Sequence, residues 1–194
     1  MQAHGPATIM TRMRRRLAFV LSTAAVCAFA LGACSPTWNW RELRLEHAPI
    51  RIQLPCKPEQ ASRRVPLAGE VVDLNMTGCA TQGMTFAVTS ARLDAGASPA
   101  AVLAAWRESM LQTLRASEVK ERPFTAPGAG VLALPQSVRV DARGLQPDGQ
   151  PVQASAVWFA RTEGDGVWVV HAAVYAAKPD PNVVETFLGA VRGD

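Results

Sequence analysis

The sequence predicts an α+β domain in which an antiparallel sheet packs against two helices. Most of the chain after residue 49 consists of short runs that alternate apolar and polar side chains, separated by Gly, Pro and Asp. This alternation is typical of strands with one buried face. Two segments instead repeat apolar residues every three or four positions, as amphipathic helices do. The order strands, helix, strands, helix favours α+β over a doubly wound parallel sheet.

Alternation and turn residues define the early strands. Four are expected, at residues 50–54, 64–67, 70–76 and 84–93. Ala68-Gly69 lies between the second and third of them, which predicts a hairpin. Gly78 and Gly83 are expected to bracket Cys79 in a turn.

Each predicted helix begins with a capping residue followed by proline. Ser98 precedes Pro99, and Asp180 precedes Pro181, which is the favoured arrangement at a helix start. The first helix is expected to continue to about Ala116. Its apolar stripe consists of Leu103, Trp106, Met110, Leu111 and Leu114. The buried side of the second helix consists of Val183, Phe187, Leu188 and Val191.

The segment between the helices is expected to return to strands. A short strand at 118–124 and a Gly- and Pro-rich loop at 125–135 precede an antiparallel meander. The three strands of the meander are predicted at 137–143, 152–161 and 167–175. In the first of them, Val138, Val140 and Ala142 are expected to point inward and Arg139, Asp141 and Arg143 outward.

The N-terminal segment has the pattern of an export signal. A cluster of arginines (Arg12, Arg14, Arg15 and Arg16) precedes an apolar run at 17–31. A basic region, an apolar stretch of this length and small residues before a cleavage point describe a secretory signal peptide. The alternative is a transmembrane anchor, which needs about 20 apolar residues.

The end of the apolar run resembles the lipobox of bacterial lipoproteins. It reads Leu31-Gly32-Ala33-Cys34, and in that family the Cys thiol takes a diacylglycerol and becomes the new N-terminus. Ser35 follows, which by resemblance to Gram-negative sorting rules implies the periplasmic face of the outer membrane. Trp38 and Trp40 either rest on the membrane surface, which tryptophan favours, or pack on the domain.

The predicted organisation is a signal peptide at 1–33, a lipidated polar tether at 34–49 and one domain at 50–194. The chain carries 20 Lys and Arg against 16 Asp and Glu. Cleavage removes four arginines and no acid, so the mature chain is formally neutral. With no basic stripe, we expect no nucleic-acid partner.

Two cysteines remain after cleavage and lipidation. Cys56 and Cys79 form an even pair in an exported chain, which favours a disulfide. A bridge closing that loop contributes about 3 kcal/mol on the chain-entropy model. A metal site or a redox pair is the alternative, although neither short ligand spacing nor Cys-x-x-Cys is present.

No catalytic motif stands out. His171 and Tyr175 share a face of the last strand, and Asp141 with Glu118 or Glu121 is a formal acid/base pair. Neither set comes with a nucleophile turn, a His-Glu-x-x-His string or a P-loop. We therefore expect a chain that is not an enzyme and that uses no cofactor.

The element order resembles the PsbP-like fold, which is shared by extrinsic photosystem proteins and by bacterial lipoproteins of the DcrB type. The matching strings are Ile50-Arg51-Ile52-Gln53-Leu54-Pro55, Thr85-Phe86-Ala87-Val88 and Thr186-Phe187-Leu188. The resemblance implies a non-catalytic accessory or assembly role and carries no site residues across.

Three functions follow as hypotheses. The first is a membrane-tethered, non-enzymatic domain that binds another envelope component or assists assembly. The second is a binder of small ligands or lipid, with a pocket between the sheet and the Trp106 helix. The third is a hydrolase that uses His171.

Overall fold

The computed structural model describes residues 38–194. The strands are β1 (Arg41–Arg44), β2 (Ile50–Leu54), β3 (Glu59–Leu67), β4 (Glu70–Thr81), β5 (Met84–Leu93), β6 (Lys120–Pro123), β7 (Val138–Leu145), β8 (Pro151–Glu163), β9 (Gly166–Ala176) and β10 (Arg192–Gly193). The helices are α1 (Pro99–Thr113) and α2 (Pro181–Gly189). Seven strands form an antiparallel sheet in the order β3-β4-β5-β9-β8-β7-β6. The predicted α+β class with an antiparallel sheet is confirmed.

Helix α1 covers one face of this sheet, called here the α1 face. Ser98 caps the helix by accepting a hydrogen bond from the Ala101 N–H, and Trp106 and Met110 are buried beneath it. The helix ends at Thr113, before the predicted Ala116, because the chain turns there and Ser117 N–H donates to the Arg143 carbonyl on β7. The helix thus packs its apolar stripe on the sheet, as an amphipathic helix does.

The opposite face, called here the α2 face, is covered by α2 and by a small sheet in the order β1-β2-β10. Phe86, Phe159 and Phe187 are fully buried between these layers. The sheet therefore has apolar side chains on both faces, which explains why its central strands contain near-continuous apolar runs.

The part of the predicted tether that the structure describes, residues 38–49, belongs to the folded domain instead. Strand β1 pairs with β2 from Arg41↔Leu54 to Arg44↔Arg51, and Leu45 and Ala48 are buried in the core. The sequence did not reveal strand β1, because the segment is mostly polar and one side of an edge strand remains in solvent. The domain extends from at least Trp38, so the boundary predicted at residue 50 is corrected.

Two local predictions were wrong for identifiable reasons. Cys79 lies within β4 and not in a turn; the turn is Gln82-Gly83, where both residues have positive φ as a tight hairpin requires. Gly78 allows β4 and β5 to approach each other closely, since a Cβ there would lie 2.4 Å from the Phe86 carbonyl oxygen.

The second wrong prediction concerns Arg139, which was expected to point outward. Its side chain points into the protein and the residue is 8% exposed, because α2 covers that face of β7.

Candidate functional site

The predicted lipidation site, Cys34, lies outside the described residues. The described chain begins four positions later, at Trp38, whose ring meets Phe86 edge-on at a centroid distance of 6.4 Å. Asn39 N–H donates to the Pro55 carbonyl at 3.0 Å. Trp38 and Trp40 are half-buried against the core. Of the two predicted roles for these tryptophans, packing on the domain is therefore the one seen.

The predicted disulfide is present. The Cys56 and Cys79 sulfurs are 1.98 Å apart and the Cα atoms 5.9 Å apart. Cys79 is buried on β4, and Cys56 follows β2. The bridge therefore joins the small sheet, where the chain enters the domain, to the large one. Its surroundings are apolar, and its role is structural.

His171 is a buried neutral imidazole in an aromatic cluster. Its ring stacks on Trp158 at 4.5 Å and meets Trp106 edge-on at 5.3 Å. The residue is 7% exposed, and Nε2 has no hydrogen-bond partner among the described residues. Burial lowers the pKa of His171 to about 3, since a charged ring would lose its hydration there. Burial likewise raises the pKa of Tyr175 to about 12.

Three carboxylates that the sequence offered as acid/base candidates are each held by arginine. Glu118 pairs with Arg143 at 3.0 Å, and Glu121 pairs with Arg107 at 2.8 Å. Asp141 pairs with an arginine on β6 and accepts a 2.6 Å hydrogen bond from Ser155. These side chains occupy separate ion pairs and do not converge on a common point.

The sequence missed one charge cluster, which is centred on the buried guanidinium of Arg139. Arg139 donates to Glu185 of α2 through its two terminal nitrogens, Nη1 and Nη2, at 2.8 and 2.5 Å, which is the bidentate geometry of a strong pair. This hydrogen bond is the main reason that the pKa of Glu185 is lowered. Arg139 also approaches Asp141 at 3.5 Å. The cluster fixes α2 on the sheet, and no short sequence signal announces it because the partners lie 46 residues apart.

Two concave surfaces flank the β3–β4 hairpin, called here the edge hairpin (residues 59–81). On the α1 face, a cavity of about 220 Å³ is lined mainly by small or apolar side chains. These include Ala61, Met76, Gly78, Ala80 and Ala87. On the α2 face, a cavity of about 270 Å³ is lined by polar side chains. These include His47, Gln60, Ser62, Asn75 and Thr77.

The two cavities have opposite chemistry because alternate residues of one hairpin point to opposite faces. Met76 is 41% exposed on the apolar side. The space between α1 and the sheet, where the sequence suggested a ligand pocket, is filled by Trp106 and its neighbours. Sequence reasoning identified the hairpin but not these surfaces, which depend on how far each covering layer extends.

Within residues 38–194, no helix is long and apolar enough to cross a membrane. The same residues contain no group of three or more His, Cys, Asp or Glu side chains placed to hold a metal ion. No protein-family model and no curated protein matches this chain. The functional conclusion therefore depends on the sequence motifs and on this geometry.

Proposed function

We propose that this chain is an exported lipoprotein, anchored through lipid on Cys34, whose domain acts by binding another component of the cell envelope. The observation that carries the proposal is the string Leu31-Gly32-Ala33-Cys34 at the end of an apolar run that follows an arginine cluster. The disulfide between Cys56 and Cys79 agrees with an oxidising compartment. Cleavage after the small residues would leave an N-terminal Cys that carries more than one acyl chain. More than one acyl chain holds a protein firmly in a membrane.

The length of chain between anchor and domain supports a membrane-proximal position. Only Ser35, Pro36 and Thr37 separate Cys34 from Trp38, and three extended residues span roughly 10 Å. A domain held this closely works on partners at or near the same membrane. We place it on the periplasmic face of the outer membrane, following Ser35.

Metabolic labelling tests the anchor. Cells that express the chain with an affinity tag after Asp194 are grown with an alkyne fatty acid, and the purified protein is examined for label. We expect label in the native chain and none in Cys34→Ala. The matched control is Cys27→Ala, which removes a cysteine from the apolar run and should keep the label. Label that survives Cys34→Ala refutes the proposal.

A non-catalytic binding role is the second part of the proposal. His171 is buried between two rings, and the three candidate carboxylates are paired with arginines. The exposed concave surfaces of the edge hairpin offer contact area instead. In situ crosslinking of the anchored protein, followed by mass spectrometry, should recover an envelope component. Recovery of nothing above an untagged control counts against this part.

One observation favours a small-ligand or lipid binder as an alternative. The apolar cavity beside Met76 is open and has polar side chains at Glu59 and Thr85, the combination that ligand sites use. Native mass spectrometry of protein from its own host distinguishes the two. A bound small molecule favours the alternative, and an apo mass favours a macromolecular partner.

We also propose that the domain is PsbP-like in its fold. Its support is the order of the described elements: an early strand, a hairpin, a helix, an antiparallel meander and a last helix. An experimental structure superposed on a PsbP-type domain tests this. A different strand order in the large sheet would refute it.

A further inference from the structure

Strand β3 is an edge strand whose outer side is unpaired and exposed, without the features that usually protect the edge of a sheet. β3 is the terminal strand of the large sheet among the described residues, and residues 59–64 are exposed. The other rim, β6, has four residues, and they are charged or proline. Short, charged, Pro-containing rims prevent strand addition. β3 is nine residues long, and its proline, Pro66, lies near one end, so the stretch Glu59–Arg64 remains able to pair.

The hairpin turn determines which groups β3 presents outward. Ala68 and Gly69 form a two-residue turn with positive φ at both positions, and Leu67 pairs with Glu70 across it. Residues that flank such a turn exchange both main-chain hydrogen bonds, and hydrogen-bonded positions then alternate along the strand. Odd-numbered residues of β3 therefore bond to β4. The outward N–H and C=O groups belong to Gln60, Ser62 and Arg64.

The side chains of the odd-numbered residues lie on the α1 face and carry a self-complementary pattern. Ala61 sits next to Met76 in the register, between Glu59 on one side and Arg63 on the other. Glu59 and Arg63 form no ion pair within residues 38–194. When such a strand lies antiparallel to a copy of itself, centred on the small residue, the acid of each copy faces the base of the other.

We propose that the β3 edge is a self-association surface at which two copies of this chain pair their β3 strands antiparallel, centred on Ala61. In this register Gln60 faces the partner's Ser62, and both present outward main-chain groups, so they form a hydrogen-bonded pair. Glu59 faces the partner's Arg63 at a non-hydrogen-bonded position, where side chains approach most closely. The arrangement is a two-fold, isologous interface and does not depend on the lipid anchor.

Neighbouring registers lack this match. Centring the pair on Ser62 places Glu59 against the partner's Val65, and centring it on Arg63 sets two arginines opposite each other. Like charges directly opposed across strands are destabilising. In the Ala61 register, the two Ala61 side chains lie between the exposed Met76 side chains of the two copies. This row of apolar side chains extends the apolar cavity across the interface. Pro66 lies beyond the paired stretch.

Cysteine crosslinking of the full chain in its host membrane tests the register. Ala61→Cys sets two thiols directly opposite each other at a non-hydrogen-bonded position, where the Cα separation of about 4.5 Å is within the range of disulfides. Mild oxidation should convert most of this variant into a dimer of twice the chain mass. The matched control is Ser62→Cys, equally exposed on the same strand but facing the partner's Gln60, and it should yield several-fold less dimer.

Charge reversal tests the pairing independently. Glu59→Arg or Arg63→Glu alone sets like charges opposite each other twice in the dimer, and should weaken self-association about ten-fold. The double variant restores opposite charges and should recover the native level. Both positions are exposed, so far-UV circular dichroism should be unchanged in all three variants. The proposal is overturned if the chain stays monomeric or if Ser62→Cys crosslinks better than Ala61→Cys. It is also overturned if either variant crosslinks to a different protein, or if charge reversal leaves self-association unchanged.

Discussion

Acid should weaken the fold through His171 in a pH window that few other groups share. The ring is buried against Trp158 and Trp106 with a pKa lowered to about 3, against 6.5 in the unfolded chain. Because the folded-state pKa is depressed, the unfolded state binds more protons below 6.5. Stability is therefore complete above about pH 6.5 and is lost as the pH falls toward 3.

The expected magnitude follows from this difference. Each pH unit inside the window costs up to about 1.4 kcal/mol, so lowering the pH from 7 to 5 should remove about 2 kcal/mol of unfolding free energy. The paired carboxylates Glu185 and Asp194, whose pKa values are lowered, respond only at more acidic pH. The interval from pH 7 to pH 5 thus isolates the imidazole.

Urea unfolding followed by tryptophan fluorescence at several pH values measures the slope. His171→Phe keeps an aromatic ring against Trp158, removes the unpaired nitrogen and should flatten the slope, with equal or higher stability at pH 7. His47→Phe alters an exposed histidine and should retain the native slope. A native protein that is equally stable at pH 7 and pH 5, or a His171→Phe variant with an unchanged slope, would refute the reasoning.

Substitutions at four further places have expected outcomes. Glu185→Ala leaves the guanidinium of Arg139 buried without its bidentate partner and should cost about 2 kcal/mol in urea unfolding, with Glu185→Gln costing less. Gly78→Ala forces a Cβ against a neighbouring carbonyl and should lower stability by at least about 2 kcal/mol; Gly189→Ala, which meets nothing within 4 Å, should raise helix stability by about 0.5 kcal/mol. Replacing both disulfide cysteines by serine should cost about 3 kcal/mol, and an equal midpoint with and without reductant in the native protein would contradict that role.

The sequence pattern predicted the large sheet well, because strands joined by short turns are defined by residues that lie close together in the sequence. Alternation and turn residues place the β7–β9 meander, and the turn at Ala68-Gly69 places the edge hairpin. The error at Arg139 has another cause. Arg139 was expected in solvent because its strand reads as one-sided, and only the docking of α2 makes the second face an interior. Layers that cover a strand come from distant sequence, so alternation alone cannot assign them.

The same division applies to the candidate site. Cys34 is predicted as a lipidation site by a contiguous string. The pairing of Cys56 with Cys79, which the structure contains, was predicted by elimination among few cysteines. The concave surfaces beside Met76 and His47 have no contiguous signal, because they exist where α1 and the small sheet stop short of the hairpin. The self-complementary order of Glu59, Ala61 and Arg63 is visible in the sequence, but it acquires meaning only when β3 proves to be a rim.

The cystine also determines how a pull on the chain would travel. Tension that enters at Trp38 passes along β1 and β2 to Cys56 and then crosses the sulfur–sulfur bond to β4. Nearly all of the edge hairpin lies in the covalent loop that this bond closes. A load that enters at Trp38 therefore bypasses β3, and the β3 edge keeps its shape while β1 and β2 are strained. Reducing the bond would place the hairpin in the line of force, directly after β1 and β2.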